Sequence, residues 1–327
     1  MSNLSGIMEK VKISRILNRL SRGQKQFLST FSGLLLLMLV FFILSPYFLT
    51  VDNLLTVATQ TAVIAIIAIG QTFVLITGGI DLSIGSNIAL SAMVAGVFMR
   101  AGLPVPVAIL AGLVTGMLSG TVNGIFVAFG KLPPFIATLG TMTIARGLSF
   151  TLTKALPIAN LPKSFTVYGT DRTLGIPNQV IIMVVLFIIF GFILAKTKLG
   201  RHVYAVGSNF EAARLSGVNT RKVQMAVYII SGLLAALAGL IMAARIITAQ
   251  PGSGDGYELD AVASSVIGGV STMGGEGIMA GTFIGAFVIG VLRNGLNLIS
   301  VSPYIQKIVI GIVIVASVFF DKIKRKD

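Results

Sequence analysis

Four ionisable side chains, Asp81, Arg146, Arg245 and Arg293, stand inside otherwise apolar stretches of this 327-residue chain. The chemistry open to such groups in a bilayer is ion or proton relay, since a charge held there must be paired, wetted or hydrogen-bonded. One acid among three arginines is thin for a relay, which needs titrating groups in series. Other reactive sets are missing. No G-x-x-x-x-G-K-[ST] phosphate loop occurs, so the chain is not expected to hydrolyse ATP itself. G-x-S-x-G and H-E-x-x-H are absent as well. The single histidine, His202, reads as a solvated loop residue, and without cysteine there is no metal-ligand set or disulfide framework. The expectation is a protein that is not an enzyme and carries no cofactor or metal. Its passage would be worked by something outside it.

The elements that would hold these residues are membrane spans. The chain is 55% hydrophobic and only 11% charged, with 37 glycines, and its mean hydropathy is +0.94. Apolar runs of 18 residues or more recur, the length that crosses a bilayer as helix, and abundant glycine suits helices packed closely in lipid. A soluble α/β fold has shorter apolar runs and more evenly spread charge. The fold class is therefore all-α, a polytopic helical membrane protein.

A net charge of +14 would suggest a nucleic-acid partner, but its distribution excludes one. Six Lys/Arg lie in residues 1–26, six in 196–222 and four in 322–326, all beside apolar spans. Basic residues flanking spans mark the cytoplasmic side. About ten spans emerge, near 27–45, 54–77, 84–100, 104–128, 133–153, 179–195, 224–247, 259–272, 279–298 and 304–320. Starting inside, six crossings return the chain to the basic cluster at Lys196 and four more place the basic C-terminus inside. The pattern predicts basic cytoplasmic tails at 1–26 and 322–327 around a membrane domain at 27–321, with a cytoplasmic loop at about 196–223. The first span, followed by Ser45-Pro46-Tyr47-Phe48 rather than a small-residue cleavage site, is read as uncleaved. The eighth is the weakest, because Gly268, Gly269, Gly274, Gly275 and Gly277 crowd its end, and a re-entrant segment is the alternative. The loop 154–178, with Pro157, Pro162 and Pro177, is expected to be an ordered, non-helical cap.

Three segments carry functional expectations. In the loop 196–223, Ser208-Asn209-Phe210-Glu211 has the S-x-x-E pattern of a capping box. Glu211, Ala212, Ala213, Arg214 and Leu215 would continue it as a short helix that Gly217 ends. Exposing Phe210, Arg214 and Leu215, this helix suits a groove on another protein. Equally, Arg201, Arg214, Arg221 and Lys222 would lay it on lipid headgroups.

The second segment runs from Thr77 to Ser86. Its paired glycines, Gly78 and Gly79, end one span, and Asp81 or Ser83 would cap the next. An unpaired Asp at the bilayer centre costs about 2.5–3.5 kcal/mol on insertion scales, so a helix break or wet cavity is expected there. Such a break is a plausible edge of a pathway. Gly79, Asp81, Ser83, Gln71, Asn87 and Asn123 are the pathway candidates, with Gln60 beside them, and interhelical hydrogen bonding is their alternative role.

The third segment, Gln250 to Asp260, reads as a flexible outer loop entering a span with an acidic first turn. Asp255, Tyr257 and Glu258 are candidates for receiving a docking protein.

Five motifs carry a family resemblance: GGIDLSIGS from Gly78, PPFIATLGTMTIARGL from Pro133, LGRHVYAVGSNFEAARLSGV from Leu199, GYELDAVASSVIGG from Gly256 and RNGLNLISVSPYIQKIVIGIVI from Arg293. Together they resemble ribose-type permeases of bacterial ABC sugar importers, in the branched-chain amino acid/ribose permease superfamily. The resemblance covers nearly the whole chain beyond the basic tail. It implies a multi-pass protein of the bacterial cytoplasmic membrane, paired as a homodimer with a second permease copy. It also implies an ATP-binding subunit, which carries the hydrolysis, and an extracytoplasmic sugar-binding protein. In that family the loop matching Ser208–Gly217 contacts the ATPase, which favours the docking reading of the short helix. Ribose is the best single name for the cargo. Arg293-Asn294 and Ser271-Thr272-Met273 depart from the ribose pattern and admit another pentose, a hexose or a polyol. The alternatives are an ion-coupled secondary sugar transporter and a passive channel.

Overall fold

The computed structural model describes residues 22–324, so the basic tail expected at 1–26 and the C-terminal tail lie largely outside the described residues. The architecture is all-α apart from four two-residue strands. In chain order come α1 (Arg22–Leu44), α2 (Val51–Ile76), α3 (Ile84–Arg100), α4 (Val105–Ala128) and α5 (Pro134–Thr151). The loop after α5 holds β1 (Ile158–Ala159), α6 (Lys163–Thr170), β2 (Arg172–Thr173) and β3 (Ile176–Pro177). Then follow α7 (Asn178–Lys196), α8 (Lys198–Ser208), α9 (Phe210–Leu215), α10 (Thr220–Ile246), β4 (Thr248–Ala249), α11 (Tyr257–Ile267), α12 (Met279–Leu298) and α13 (Pro303–Lys324).

Among the described residues, six helices are long and apolar enough to cross a membrane: α1, α2, α4, α7, α10 and α12. The 17-residue α3 and an apolar stretch of α13 are shorter. The expected eighth span is not a full helix. Its helical part, α11, has 11 residues and rises roughly 16 Å, about half of a ~30 Å hydrocarbon core. The physical reason is the glycine run. Gly269 sits at φ +93°, its amide bonding the Val266 carbonyl while Val270 N bonds Ser265 O, a glycine stop. The loop 154–178 also differs from expectation. It contains α6, started by Pro162 and anchored by the fully buried Phe165. The antiparallel pair β1–β4, with Ile158 opposite Ala249, ties this loop to the end of α10.

Helix α2 is the axis of the core: every residue from Thr61 to Ile76 is buried. Around it lie α7, α10, α11 and α12. Helices α4 and α10 pack backbone against backbone, and the cause is visible in sequence. Gly112, Gly116, Gly120 and Gly124 recur every four residues, forming one face of α4. A Cβ on Gly116 would overlap the Gly232 carbonyl, and one on Gly120 the Tyr228 carbonyl. In lipid, where apolar side chains gain little by leaving the solvent, such close backbone approach is what holds helices together. The opposite face of α4 exposes Leu110, Leu118, Ile125 and Phe126.

Candidate functional site: two helix breaks and an exposed short helix

The first break lies between α2 and α3. Helix α2 stops because Gly78 takes φ +81°, a left-handed turn that glycine adopts without a Cβ clash. Gly78 N and Gly79 N then bond the carbonyls of Leu75 and Val74. The chain turns back through Asp81, whose side chain is 0% exposed. Asp81 Oδ1 accepts from Ser83 N at 2.9 Å and from Ser83 Oγ at 2.6 Å. Asp81 Oδ2 accepts from Ser231 Oγ of α10 at 2.7 Å. Ser83 Oγ in turn accepts from Asn87 Nδ2 at 3.2 Å and Asn123 Nδ2 at 2.8 Å.

Four of the pathway candidates, Asp81, Ser83, Asn87 and Asn123, thus meet in one hydrogen-bonded cluster, all fully buried. Gly79 lies instead against Tyr228 of α10, where an added Cβ would be 2.6 Å from the hydroxyl. Gln71 is buried too, but outside this network, and its amide finds no partner among the described residues. Neither Asp81 nor Ser83 caps α3 from its side chain. Ser83 occupies the cap position without a side-chain bond, because its hydroxyl is committed to Asp81. A carboxylate beside a helix N-terminus is favoured by the dipole, and its serine and amide partners replace the water it lost. The sequence reading missed Ser231 and Tyr228, which are polar positions on an apolar helix and carry no motif.

The second break, residues 268–278, follows α11. Above it Thr72 Oγ1 of α2 lies 3.1 Å from Ser265 Oγ and 2.7 Å from Thr282 Oγ1, a hydroxyl relay joining α2, α11 and α12. Further along, Arg293 of α12 donates to the buried Asp260 at 2.6 Å and lies 5.9 Å from the Tyr257 ring. Asp260 is therefore an ion-pair partner as well as a first-turn acid.

The segment 250–256, expected to be a flexible loop, is held to α5 by hydrogen bonds. Pro251 and Gly254 are buried, and Arg146 Nη1 of α5 donates to the carbonyls of Pro251 at 3.1 Å and Ser253 at 2.8 Å. Of the docking candidates, Asp255 is exposed, 3.9 Å from Lys307 Nζ. Tyr257 is half-buried under Arg293. Glu258 turns inward, since a Cβ on Gly85 would overlap its carboxylate. Gln60 lines a separate cavity of about 430 Å³ with Thr56, Gln179 and Arg245.

The loop 196–223 folds as two helices. Val203 and Val206 of α8 face the core, and Tyr204 donates to the Gly277 carbonyl at 2.6 Å; burial pushes its hydroxyl above the ordinary tyrosine pKa. Ser208 ends α8, and Asn209, not Ser208, caps α9, accepting from Ala212 N at 2.9 Å. Ser and Asn are comparable caps, so the local pattern was off by one residue. Gly217, at φ +83°, stops α9 as expected, with Val218 N bonded to Ala213 O. Ala213 is the residue of α9 that packs inward. Phe210 is 40% and Leu215 82% exposed, and Glu211 and Arg214 form an exposed pair at 2.7 Å. Ala212 lies between them on the same exposed helix. A cleft of about 490 Å³ opens beside α9, lined also by Lys131, Leu132 and Arg221.

The chain is 46% identical over 305 residues to ribose import permease protein RbsC of Bacillus subtilis (strain 168), covering 92% of this chain and 94% of that protein. It is 44% identical over 297 residues to the protein of the same name from Escherichia coli (strain K12), covering 90% and 92%. With the D-allose transport system permease protein AlsC of the same strain the identity is 38% over 299 residues, covering 91% and 92%. No solved structure matches the chain. The family described as "Branched-chain amino acid transport system / permease component" matches residues 53–318, a range holding both helix breaks and the α8–α9 surface, and the chain belongs to it.

Proposed function

We propose that the chain is the transmembrane permease subunit of an ATP-driven importer of a monosaccharide, with ribose the cargo. It resides in the bacterial cytoplasmic membrane. The observation that carries the reading is α9, a six-residue helix that turns Phe210 and Leu215 outward beside a cleft, in a chain similar to ribose import permeases over nearly its full length. Exposed aromatic and leucine side chains on a rigid, capped helix suit a groove in a soluble subunit better than water.

In this reading both termini and the α8–α9 surface are cytoplasmic. The chain crosses ten times, the eighth crossing being completed by α11 and the glycine-rich turns after it. Two copies form the pathway between them, surrounded by lipid, and the loaded binding protein docks at the opposite end near Asp255. The Asp81 cluster, sealed in this conformation, borders the pathway and holds the broken helix that must rearrange. Movement of the ATPase presses on α9 and switches the bundle from outward- to inward-open. The ion-coupled alternative has no support, since Asp81 is consumed by hydrogen bonds to serine hydroxyls and a backbone amide.

The test is ribose uptake by proteoliposomes holding the permease, its ATPase and its binding protein. Uptake that needs ATP and withstands an ionophore is expected. Uptake by the permease alone, or abolished by the ionophore at constant ATP, would overturn the proposal.

A further inference from the structure

The two helix breaks meet α8, the helix that leads into α9, and at their centre the contact is backbone on backbone. Gly207, the penultimate residue of α8, leaves no room for a side chain: a Cβ there would overlap the Ile76 carbonyl at the end of α2 and lie 2.6 Å from Gly275 N in the second break. Gly275 N donates to that same Ile76 carbonyl at 2.8 Å. A Cβ on Gly274 would lie 2.9 Å from Gly207 O and 3.0 Å from Gly78 N, and one on Gly275 would lie 2.8 Å from Ser208 Oγ. Tyr204 of α8 adds its bond to the Gly277 carbonyl. Only Asn209 separates α8 from α9.

From this geometry we infer that the contact of Gly207 with Ile76 and Gly275 is a rigid strut that carries displacement of α9 into both helix breaks at once. The inference rests on the proposal that α9 receives the ATPase. Side chains between moving parts can change rotamer and absorb motion, whereas backbone packed on backbone can only move together. The strut reaches two different sets of partners. Through Ile76 and Gly78 it meets the turn that ends in Asp81, bonded to Ser231 of α10. Through Gly274–Gly277 it meets the loop that starts α12. A push of the six-residue α9 is thereby divided between α10 and α12, the helices that flank α2. These glycines and Tyr204 are positioning residues, acting on the pathway through the breaks rather than on the sugar.

The experiment measures sugar taken up per ATP hydrolysed by the complete importer in proteoliposomes. Gly207→Ala wedges the strut without touching the exposed face of α9. Expected is an importer that still assembles and hydrolyses ATP, with uptake per ATP reduced roughly fivefold or more, the lower range of couplings between sites. Tyr204→Phe removes one tie and adds no bulk, so it is expected to fold and to lower uptake per ATP by about twofold to tenfold, the worth of one hydrogen bond. It decides the matter if Gly207→Ala fails to assemble. A merely structural role would reduce assembled importer, and with it hydrolysis and uptake in parallel; an unchanged ratio in Tyr204→Phe therefore overturns the strut. Wild-type permease that neither retains an ATPase nor shows ATP-dependent uptake would instead overturn the underlying assignment of α9.

Discussion

The Asp81 carboxylate accepts a hydrogen bond from Ser231 Oγ at 2.7 Å across 150 residues of chain. This one contact fastens the turn between α2 and α3 to the middle of α10. Because Ser83 Oγ also gathers Asn87 and Asn123, a single acid organises polar groups from α3, α4 and α10 with no basic residue in the set.

Removal of that acid should show which kind of interaction is at work. Asp81→Leu leaves Ser83 N and two serine hydroxyls without an acceptor, each costing about 1–3 kcal/mol when buried. Asp81→Asn keeps an oxygen facing Ser83, and the Ser231 hydroxyl can turn to accept from the new amide. Thermal unfolding in detergent should place Asn close to wild type and Leu far below. Equal losses in the two variants would contradict a network based on hydrogen bonding.

The glycine face of α4 makes a prediction about packing. Gly116→Leu drives a side chain into the Gly232 backbone, and overpacking of this kind costs about 1–3 kcal/mol or more. Gly140→Leu on α5 is the control, because nothing lies within 4 Å of its Cβ position. Monodisperse yield after extraction should fall for Gly116→Leu and hold for Gly140→Leu.

Arg293 and Asp260 are coupled. Arg293→Leu strands a carboxylate that is 1% exposed, a loss of about 3–5 kcal/mol for an unpaired buried charge. Adding Asp260→Asn should restore most of that stability, so the two changes are strongly non-additive. Simple addition of the two losses in unfolding experiments would mean that the pair does not act as a unit.

Exchange of charges on α9 separates docking from folding. Glu211→Lys with Arg214→Glu rebuilds the ion pair in reverse, and an exposed pair contributes at most about 1 kcal/mol to stability. On the proposed role of α9, the permease should insert and unfold like wild type while ATP-dependent uptake is lost, because an ATPase seated there would meet inverted charge. Full uptake would remove α9 from the coupling surface.

Run length and basic flanks in the sequence were sufficient for the all-α membrane class and for placing most helices within a few residues, because bilayer thickness and the cost of unpaired backbone impose those features locally. The glycine spacing of α4, and the glycine stops at Gly78, Gly217 and Gly269, are likewise written in the chain, since left-handed turns and close approach need a residue without a Cβ. The cap of α9 was read one residue early, at Ser208 of the S-x-x-E pattern, because Ser and its neighbour Asn209 are comparable caps and only Asn209 accepts from Ala212 N. Only the tertiary structure determined that Asp81 meets Ser231 rather than capping α3, that Glu258 turns inward, and that Gly207 rests on Ile76 and Gly275. Those partners lie tens to hundreds of residues apart, and a buried polar group takes whichever partner the packing of distant helices brings within hydrogen-bond reach.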